Sequence, residues 1–338
     1  MIKKKPLTSL STFLLYNNKK LKGQYLTYAK SLFETNDNFI RSPLFYVGDK
    51  HKLISQLKSY FPNNIKTYIE PFCGGGSSFL NISAKKYLLN DLDSHLINLH
   101  RFLCSQSKDT KTFFTTLFEI IESYNLSCSF LQKIPPKVLR ETYKKTYFAK
   151  FNKENYHKLR SDFNKNKDDM NKLYVLLIYG FNRTLRFNSK GEFNLPVGNV
   201  DFNSNVFNAL NNYFNFMQKH TNIEFYNCDF AVFLNTLELG QNDFIYLDPP
   251  YLISSSEYNK LWSEKEERKL YKILKELDAN GVKWGLSNLL THKGKENKIL
   301  SEFMKNYRIY EIKSNYISFN DNSIKRDSRE VYISNVKN

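Results

Sequence analysis

Cysteine is scarce in this chain of 338 residues, and its few copies are scattered. They are Cys73, Cys104, Cys128 and Cys228, and they form no C-x-x-C pair. That spacing argues against a structural zinc site and against a disulfide framework. The sequence therefore predicts a protein without a metal that works in a reducing cytoplasm.

Long apolar runs are missing as well. The chain starts MIKKK, and Pro6 and polar residues follow where a signal peptide would have its apolar stretch. No other segment is apolar over the length of a membrane span. The sequence predicts neither secretion nor association with a membrane.

Acidic residues are the third shortage. The chain has 33 Asp and Glu against 50 Lys and Arg, which gives a formal net charge of +17. This excess favours a polyanionic partner such as double-stranded DNA, because each neutralised phosphate releases counterions. A lysine-rich surface of solvated charges would give the same total, so charge alone leaves both interpretations open.

Short apolar runs alternate with helical patterns from about Thr67 onward, which predicts a mainly parallel α/β sheet. The predicted strands are residues 67–70, 87–90, 223–228, 244–247, 282–286, 307–312 and 330–334. Residues of about 105–220 favour helices with interleaved basic and aromatic side chains, and a turn containing glycine predicts a β-hairpin over 186–194. The predicted organisation is an N-terminal extension (1–40), an α/β domain (41–104 with 222–338) and an inserted domain (105–221).

A glycine-rich turn follows the first predicted strand. Residues 70–77 (EPFCGGGS) connect it to a predicted helix at 78–84, and Asp91 ends the next strand, 17 residues after Gly74. Glycines let a ligand approach the backbone closely, and a carboxylate about 20 residues further on binds ribose in Rossmann-like sites. The segment lacks both G-x-G-x-x-G and a Walker lysine, so it predicts a site for a single nucleoside or an ordinary strand-to-helix turn.

Two further strand ends carry polar and aromatic residues. Residues 227–230 (NCDF) offer a carboxylate and a ring that suit an adenine, and Asp248-Pro249-Pro250-Tyr251 ends the following strand. The prolines fix an extended backbone and leave carbonyl groups free to accept hydrogen bonds. Asp248 and the Pro249 carbonyl can accept both N–H bonds of an aromatic amine, which localises its lone pair for attack on a methyl sulfonium. Tyr251 offers a face on which a base can stack.

These motifs together resemble the Dam-like (alpha-group) family of adenine-N6 DNA methyltransferases, from about Ile40 to the C-terminus. In that family an aromatic-x-G-G-K segment, a glycine motif, an acidic strand end, a reader module and D-P-P-Y occur in this order. The first segment is YVGDK here, so Tyr46 replaces Trp and Asp49 replaces Gly. The resemblance implies a Rossmann-like, mainly parallel methyltransferase sheet with an inserted, mostly helical target-recognition domain bearing a β-hairpin.

The resemblance also implies the cofactor S-adenosylmethionine and the residues that use it. The implied cofactor-binding residues are Tyr46, Lys50, Glu70, Phe72, Gly74, Gly76, Asp91, Asp229, Phe230 and Asp248. The implied catalytic residues are Asp248, Pro249, Pro250 and Tyr251. The implied function is methyl transfer to N6 of a flipped-out adenine in a short duplex sequence, in restriction-modification or in phage or bacterial methylation.

Residues 179–188 and 191–198 resemble the hairpin of that family and the segment that leads into it. There an aromatic–Asn pair lies near the extruded base and an arginine reads guanine, roles that fall here on Phe181, Asn182 and Arg186. The implied DNA-binding residues are Phe181, Asn182, Arg183, Arg186, Asn188 and Lys190. Whether Arg186 reads guanine or holds a phosphate stays open. Thr184 differs from many GATC readers, so the recognition sequence stays open too.

Three other functions fit parts of the sequence. Enzymes of the same fold that act on cytosine N4 or on RNA adenine usually carry Ser or Asn in place of Asp248. A catalytically silent DNA-binding module would not need Asp91 and 248–251 intact, and a nicotinamide oxidoreductase would need the other glycine spacing. The expected partner is double-stranded DNA, bound by a monomer in the cytoplasm of a bacterial or phage-infected cell. A cognate restriction endonuclease is a further candidate partner.

Overall fold

The structure is a computed structural model that describes residues 39–254, 262–313 and 328–336. These residues form two compact units. One contains the described residues up to Val47 together with Arg101–Gln218, and the other contains Gly48–His100 and the described residues from Lys219 onward. The predicted boundaries near residues 104 and 221 lie within a few residues of these limits, whereas residues 41–47, assigned to the α/β domain from sequence, belong to the unit that contains Arg101–Gln218. Of the predicted N-terminal extension, residues 1–38 lie outside the described residues.

Helices and strands of the described residues are labelled in chain order. The helices are α1 (Ile54–Lys58), α2 (Ser94–Gln106), α3 (Thr110–Ser123), α4 (Lys137–Tyr143), α5 (Tyr147–Lys165), α6 (Met170–Tyr179), α7 (Ser204–Lys219), α8 (Phe230–Asn235), α9 (Glu264–Ala279) and α10 (Lys298–Phe303). The strands are β1 (Ile65–Glu70), β2 (Ala84–Asn90), β3 (Ile223–Tyr226), β4 (Phe244–Leu247), β5 (Lys283–His292), β6 (Lys295–Glu296), β7 (Arg308–Ile312) and β8 (Arg329–Ser334). None of these helices is long and apolar enough to cross a membrane.

A mostly parallel sheet lies in the unit that contains Gly48–His100. Its strand order is β3-β2-β1-β4-β5-β8-β7, and β6 pairs with β5. Strands β1 to β5 run parallel to one another, whereas β8 is antiparallel to both β5 and β7. The sheet confirms the predicted α/β class. The chain order reverses between β1 and β4, and α/β proteins bind ligands at the carboxyl ends of strands at such a switch point.

Burial on both faces explains the uninterrupted apolar sequence of the central strands. All four residues of β4 are buried, and Ile69 of β1 and Trp284 of β5 are fully buried beside it. Each of the seven predicted strands is present; the ends of six lie within about three residues of the prediction, and β5 continues beyond its predicted end at residue 286 to His292. The two-residue strand β6 is too short to leave a periodic pattern and is not predicted.

The predicted helix at 78–84 is wrong. Residues Phe79–Asn81 form a single 3-10 turn, and β2 already begins at Ala84. Between them Ile82 is extended, with φ of −112° and ψ of 135°. The Tyr87 hydroxyl donates to the Ile82 carbonyl at 2.8 Å and accepts from the Ala84 N–H at 3.0 Å. These contacts from within β2 hold the segment extended, so an α-helix cannot form there.

The other unit is mostly helical and packs around aromatic side chains. All residues from Leu173 to Tyr179 in α6 are buried. Phe113 and Phe114 of α3 pack on Phe214 of α7, with ring centroids 5.2 and 5.9 Å apart. Large rings thus supply the apolar core of a unit whose surface carries many lysines.

The predicted β-hairpin is present as a tight chain reversal with one antiparallel bridge between Phe187 and Phe193. Helix α5 holds it from one side. Asn164 of that helix donates from Nδ2 to the Phe193 carbonyl at 3.0 Å, and its Oδ1 accepts from the Phe193 N–H at 2.8 Å. The reversal is therefore stabilised mainly by the helix and not by paired strands of its own.

Candidate active site

Carboxylate side chains lie at the carboxyl ends of three strands of the sheet. Glu70 is the last residue of β1, Asp91 follows β2, and Asp248 follows β4. Because these strands are parallel neighbours, their carboxyl ends meet at one edge. Burial raises the pKa of Glu70 well above its usual value, and the negative charges of Asp248 and Asp91 raise it further. The three predicted acidic residues therefore form one electrostatic group.

Glycine shapes the turn after β1. Gly76 has φ of +81°, and a Cβ atom there would lie 2.3 Å from a ring carbon of Phe79. The Gly74 N–H donates to Asp91 Oδ2 at 2.9 Å, and His100 Nε2 lies 2.9 Å from the Gly74 carbonyl oxygen. Burial lowers the pKa of His100 to about 4, so its ring is neutral at pH 7 and donates this bond through Nε2. These contacts fix the turn against Asp91.

Asn90, the last residue of β2, links three strand ends. Its Nδ2 donates to the carbonyls of Pro71 at 2.9 Å and Cys228 at 3.0 Å, and its Oδ1 accepts from the Cys228 N–H at 3.1 Å. Asn90 is fully buried, where such hydrogen bonds are strong and costly to lose. It is absent from the predicted site, although an asparagine that closes an apolar strand is an available signal.

Lys50 and Tyr251 both contact the carboxylate of Asp248. Lys50 Nζ lies 2.9 Å from Oδ2, and the Tyr251 hydroxyl oxygen lies 3.0 Å from Oδ1, within hydrogen-bond distance. Lys50 Nζ also lies 5.0 Å from the centroid of the Tyr251 ring. Asp49, which replaces a glycine of the family pattern, accepts from the His51 N–H at 3.0 Å and does not keep Lys50 from Asp248. The structure thus brings three predicted residues into direct contact.

Glu330 of β8 joins this cluster, although no sequence motif points to it. Its Oε1 lies 2.8 Å from the Tyr251 hydroxyl and 3.7 Å from Lys50 Nζ. The Glu330 side chain is 1% exposed, against 18% for Asp248. Two carboxylates therefore share one lysine and one tyrosine hydroxyl.

Negative charge exceeds positive charge in this cluster. Burial raises the pKa of Asp91 to about 6, and burial also raises the pKa of Asp248 above its usual value. Burial tends to lower the pKa of Lys50, but the charges of Asp248 and Glu330 outweigh it and raise that pKa. Lys50 is therefore cationic at neutral pH, and the carboxylates hold more negative charge than it can balance.

Aromatic side chains pack next to the end of β3. The Phe230 ring centroid lies 5.3 Å from that of Phe72 and 5.6 Å from that of Trp262. Asp229 caps α8, where its Oδ1 accepts a backbone N–H at 3.0 Å and contacts Lys269 Nζ at 3.0 Å. The predicted pair Asp229 and Phe230 is thus fixed by two residues, Trp262 and Lys269, that no motif identifies.

Tyr46 belongs to the other compact unit, where it is half-buried. Its contact with a cofactor stays a prediction.

The predicted DNA-binding residues begin at an exposed turn with unusual backbone angles. Phe181 is 54% exposed, and Asn182 and Arg183 have φ of +54° and +50°. Two consecutive left-handed residues other than glycine cost energy and persist only where the surrounding fold imposes them. Gly180 packs tightly behind the turn, because a Cβ atom there would lie 2.3 Å from the Leu195 side chain. The turn presents Phe181 to solvent.

Arg183 packs on the protein itself. Its guanidinium carbon lies 4.1 Å from the centroid of the Phe45 ring, and that of Arg41 lies 4.8 Å from the same centroid. Burial lowers the pKa of Arg183 to about 10. This packing suits a residue that stabilises the turn. Direct contact of Arg183 with DNA stays a prediction.

The remaining predicted DNA-binding residues lie in the chain reversal. Arg186 donates from Nε to Asn194 Oδ1 at 2.9 Å and from Nη2 to the Asn194 carbonyl at 2.7 Å, which orients the guanidinium. Asn188 uses its side chain within the turn, where Oδ1 accepts from the N–H groups of Lys190 and Glu192 at 2.9 Å. The Arg186 and Lys190 side chains are exposed, so they are better placed than Asn188 to meet a ligand.

Residues 46–317 match the family model described as D12 class N6 adenine-specific DNA methyltransferase. The chain belongs to this family. The match includes the glycine turn, Asp91, Lys50, Asp248 and Tyr251 and extends past β7, whereas Glu330 of β8 lies outside it.

Individual relatives agree with the family. The chain is 33% identical over 310 residues to the type II methyltransferase M.FokI of Planomicrobium okeanokoites, covering 89% of this chain and 44% of the relative. It is 32% identical over 313 residues to the modification methylase StsI of Streptococcus sanguinis, covering 88% and 43%. It is 27% identical over 222 residues to the DNA adenine methylase of Escherichia coli K12, covering 65% and 68%. The chain spans less than half the length of the first two relatives.

Proposed function

We propose that this chain transfers a methyl group from S-adenosylmethionine to the exocyclic N6 of an adenine in double-stranded DNA. The observation that carries the proposal is the Asp248 carboxylate at the end of β4, held by Lys50 and Tyr251 at the switch point of the sheet. The family to which the chain belongs supports the same chemistry.

The residues at the sheet edge fit this cofactor. S-adenosylmethionine supplies a methyl group on a positively charged sulfur and also carries an ammonium group. Within the described part of the unit, Glu70 Oε2 and Ser77 Oγ are buried without a hydrogen-bond partner. Buried polar atoms of this kind favour a ligand that brings hydrogen-bond donors, and the surplus of negative charge favours a cationic one.

Five of the predicted cofactor residues are given tasks in this proposal. Asp91 would accept the ribose hydroxyls, since its carboxylate lies beside the glycine turn. Phe230 and Asp229 would contact the adenine ring of the cofactor through a face and an acceptor. Gly74 and Gly76 leave room for close approach of the ligand.

The chemical step asks the protein to position an amine and to accept its hydrogen bonds. The target amine would donate one N–H to Asp248 and one to the Pro249 carbonyl, which localises the nitrogen lone pair. Tyr251 would stack on the target base. Burial raises the pKa of Asp248, and the charge and hydrogen bond of Lys50 oppose that rise and so favour the ionised carboxylate.

A target inside the double helix must leave the base stack before its N6 can reach Asp248. We propose that the other unit does this work, with Phe181 and Asn182 near the extruded base and Arg186 at a neighbouring guanine. In this proposal Arg183 supports the turn through Phe45. The proposed setting is a monomer acting on cytoplasmic DNA of a bacterial or phage-infected cell, alongside a cognate restriction endonuclease.

The test is incubation of the purified chain with duplex DNA and isotopically labelled S-adenosylmethionine, followed by mass spectrometry of the released nucleosides. Label in N6-methyladenine supports the proposal, and Asp248→Ala run in parallel should give none. Label in N4-methylcytosine, or transfer to RNA alone, would overturn the assigned target. Long-read sequencing of DNA from cells expressing the chain then reports the recognition sequence.

A further inference from the structure

The Tyr251 hydroxyl has one proton and two carboxylates within reach. It lies 2.8 Å from Glu330 Oε1 and 3.0 Å from Asp248 Oδ1. A phenol donates one hydrogen bond, so it can serve only one of these oxygens at a time. The carboxylate oxygen that accepts this hydrogen bond is less available to a second donor.

Glu330 is held more rigidly than Asp248. It lies inside β8, where its backbone is paired with Leu289 of β5 on one side and Ile312 of β7 on the other. Its side chain is almost completely buried, whereas Asp248 belongs to a strand exit and is partly exposed. The interior strand therefore presents a fixed acceptor to Tyr251.

Lys50 brings a positive charge close to Glu330. Its Nζ lies 3.7 Å from Glu330 Oε1 and 2.9 Å from Asp248 Oδ2. Arg329, the neighbour of Glu330 in β8, instead contacts Glu311 on the exposed side of the sheet. Lys50 thus holds the two carboxylates at a fixed separation, with Tyr251 also between them.

We propose that Glu330 is a positioning residue for methyl transfer, which accepts the Tyr251 proton and so keeps Asp248 Oδ1 available to the target amine. This inference rests on the proposed function. Without the Glu330 carboxylate, the hydroxyl would turn to Asp248 and occupy the acceptor that the amine needs. The same contact fixes the rotation of the Tyr251 ring.

The test is a double-mutant cycle with Glu330→Ala, Tyr251→Phe and the combination, measured as kcat and KM for methylation. We expect Glu330→Ala to lower kcat about tenfold or more with cofactor affinity retained, because the loss falls on the chemical step. Tyr251→Phe keeps the ring and removes the competing hydroxyl. The double variant should therefore be more active than Glu330→Ala alone and should approach Tyr251→Phe.

Two further variants separate positioning from folding. Glu330→Gln keeps an acceptor oxygen for Tyr251, so it should retain more activity than Glu330→Ala even if the alanine variant is poorly folded. Glu311→Ala removes an exposed carboxylate from the neighbouring strand β7 and should leave kcat unchanged.

Multiplicative losses in the cycle, with no rescue by Tyr251→Phe, would overturn this role while leaving the proposed function intact. A wild-type chain that methylates no DNA would overturn the proposed function and this role with it. Equal losses in Glu330→Gln and Glu330→Ala that track thermal stability would also overturn it.

Discussion

The sheet edge of one unit and the exposed turn of the other hold their polar side chains in opposite ways. At the sheet edge, the buried Glu330 and the partly exposed Asp248 share their partners, and burial raises the pKa of Asp248. At the turn and the chain reversal, Phe181 and Arg186 are exposed, and Arg186 is oriented by a neighbour within the reversal. Buried charges suit chemistry at one defined atom, whereas exposed groups suit a large ligand that arrives from solvent.

The largest expected effect comes from the buried side of this comparison. Asp248→Asn keeps the size of the side chain but turns half of the acceptor into a donor that faces the target amine. We expect turnover to fall about 1,000-fold or more while DNA binding persists. Quenched-flow methylation and gel-shift measurements check this.

Fluorescence of 2-aminopurine at the target position sharpens the same test. It should still rise when Asp248→Asn binds DNA, because extrusion depends on the reader. Tyr251→Ala should show weaker fluorescence enhancement and a partial loss of rate. Methylation by Asp248→Asn close to the wild-type rate would contradict the assigned role of that carboxylate.

Asp91→Ala is expected to have the next largest effect, which falls on cofactor affinity. Loss of a charge-assisted hydrogen bond costs roughly 1.5–3 kcal/mol, so S-adenosylmethionine should bind about 10- to 100-fold more weakly by isothermal titration. Asp93→Asn is the matched control: Asp93 Oδ1 accepts backbone N–H bonds at the start of α2, and asparagine keeps such an oxygen. Unchanged affinity in Asp91→Ala, with circular dichroism unaltered, would remove Asp91 from the site.

Cofactor affinity should also depend on pH through Asp91. Its pKa is raised to about 6 by burial, so the carboxylate is ionised above that pH and protonated below it. If the ionised form accepts the ribose hydroxyls, affinity is full above pH 6 and is lost progressively as the pH falls, by up to about tenfold per unit. Titrations over about pH 4.5–8 should show this fall in the wild type and a flatter profile in Asp91→Ala. Equal slopes in both would assign the dependence to another group.

Arg186→Ala tests the exposed side of the comparison. We expect a cost of about 1–3 kcal/mol that falls on one guanine of the recognition sequence, measured as methylation of singly substituted sites. Asn194→Ala removes the side-chain acceptor of Arg186 Nε and keeps the backbone acceptor of Nη2, so it should give a smaller loss at the same position. A loss that is equal for every site would make Arg186 a phosphate contact.

The smallest effect is expected from Lys158→Ala on the exposed face of α5. A phosphate contact there would weaken binding to all sequences alike and would reduce the salt dependence of log K by about 0.9. Filter binding at several salt concentrations measures this slope. An unchanged slope would show that this lysine is a solvated charge.

Sequence patterns predicted the strand ends well, because buried parallel strands are short apolar runs and their polar ends stand out. That is why Glu70, Asp91 and Asp248 could be expected at one edge. Glu330 could not, since a carboxylate beside an exposed Arg329 at the start of a strand is ordinarily a solvated charge. Its function depends on strand order, which no local pattern contains.

Contacts outside a local pattern also matter for other residues. Arg183 packs on Phe45, a residue far away in the chain, and its contact with DNA stays a prediction. The helix predicted after the glycine turn was excluded by the Tyr87 hydroxyl, which binds backbone groups ahead of its own strand. Local propensity cannot register a contact whose partner is distant, or one made by a side chain pointing backward along the chain.

The position of β8 has a consequence for synthesis on the ribosome. This strand is made after β7 but lies between β5 and β7, and it carries Glu330 to Lys50 and Tyr251. A nascent chain that has completed β1 to β7 still lacks the strand that joins β5 to β7, and it lacks part of the acidic cluster. If Glu330 has the role proposed above, a chain released before residue 330 should be inactive even when every residue of the D-P-P-Y segment is present.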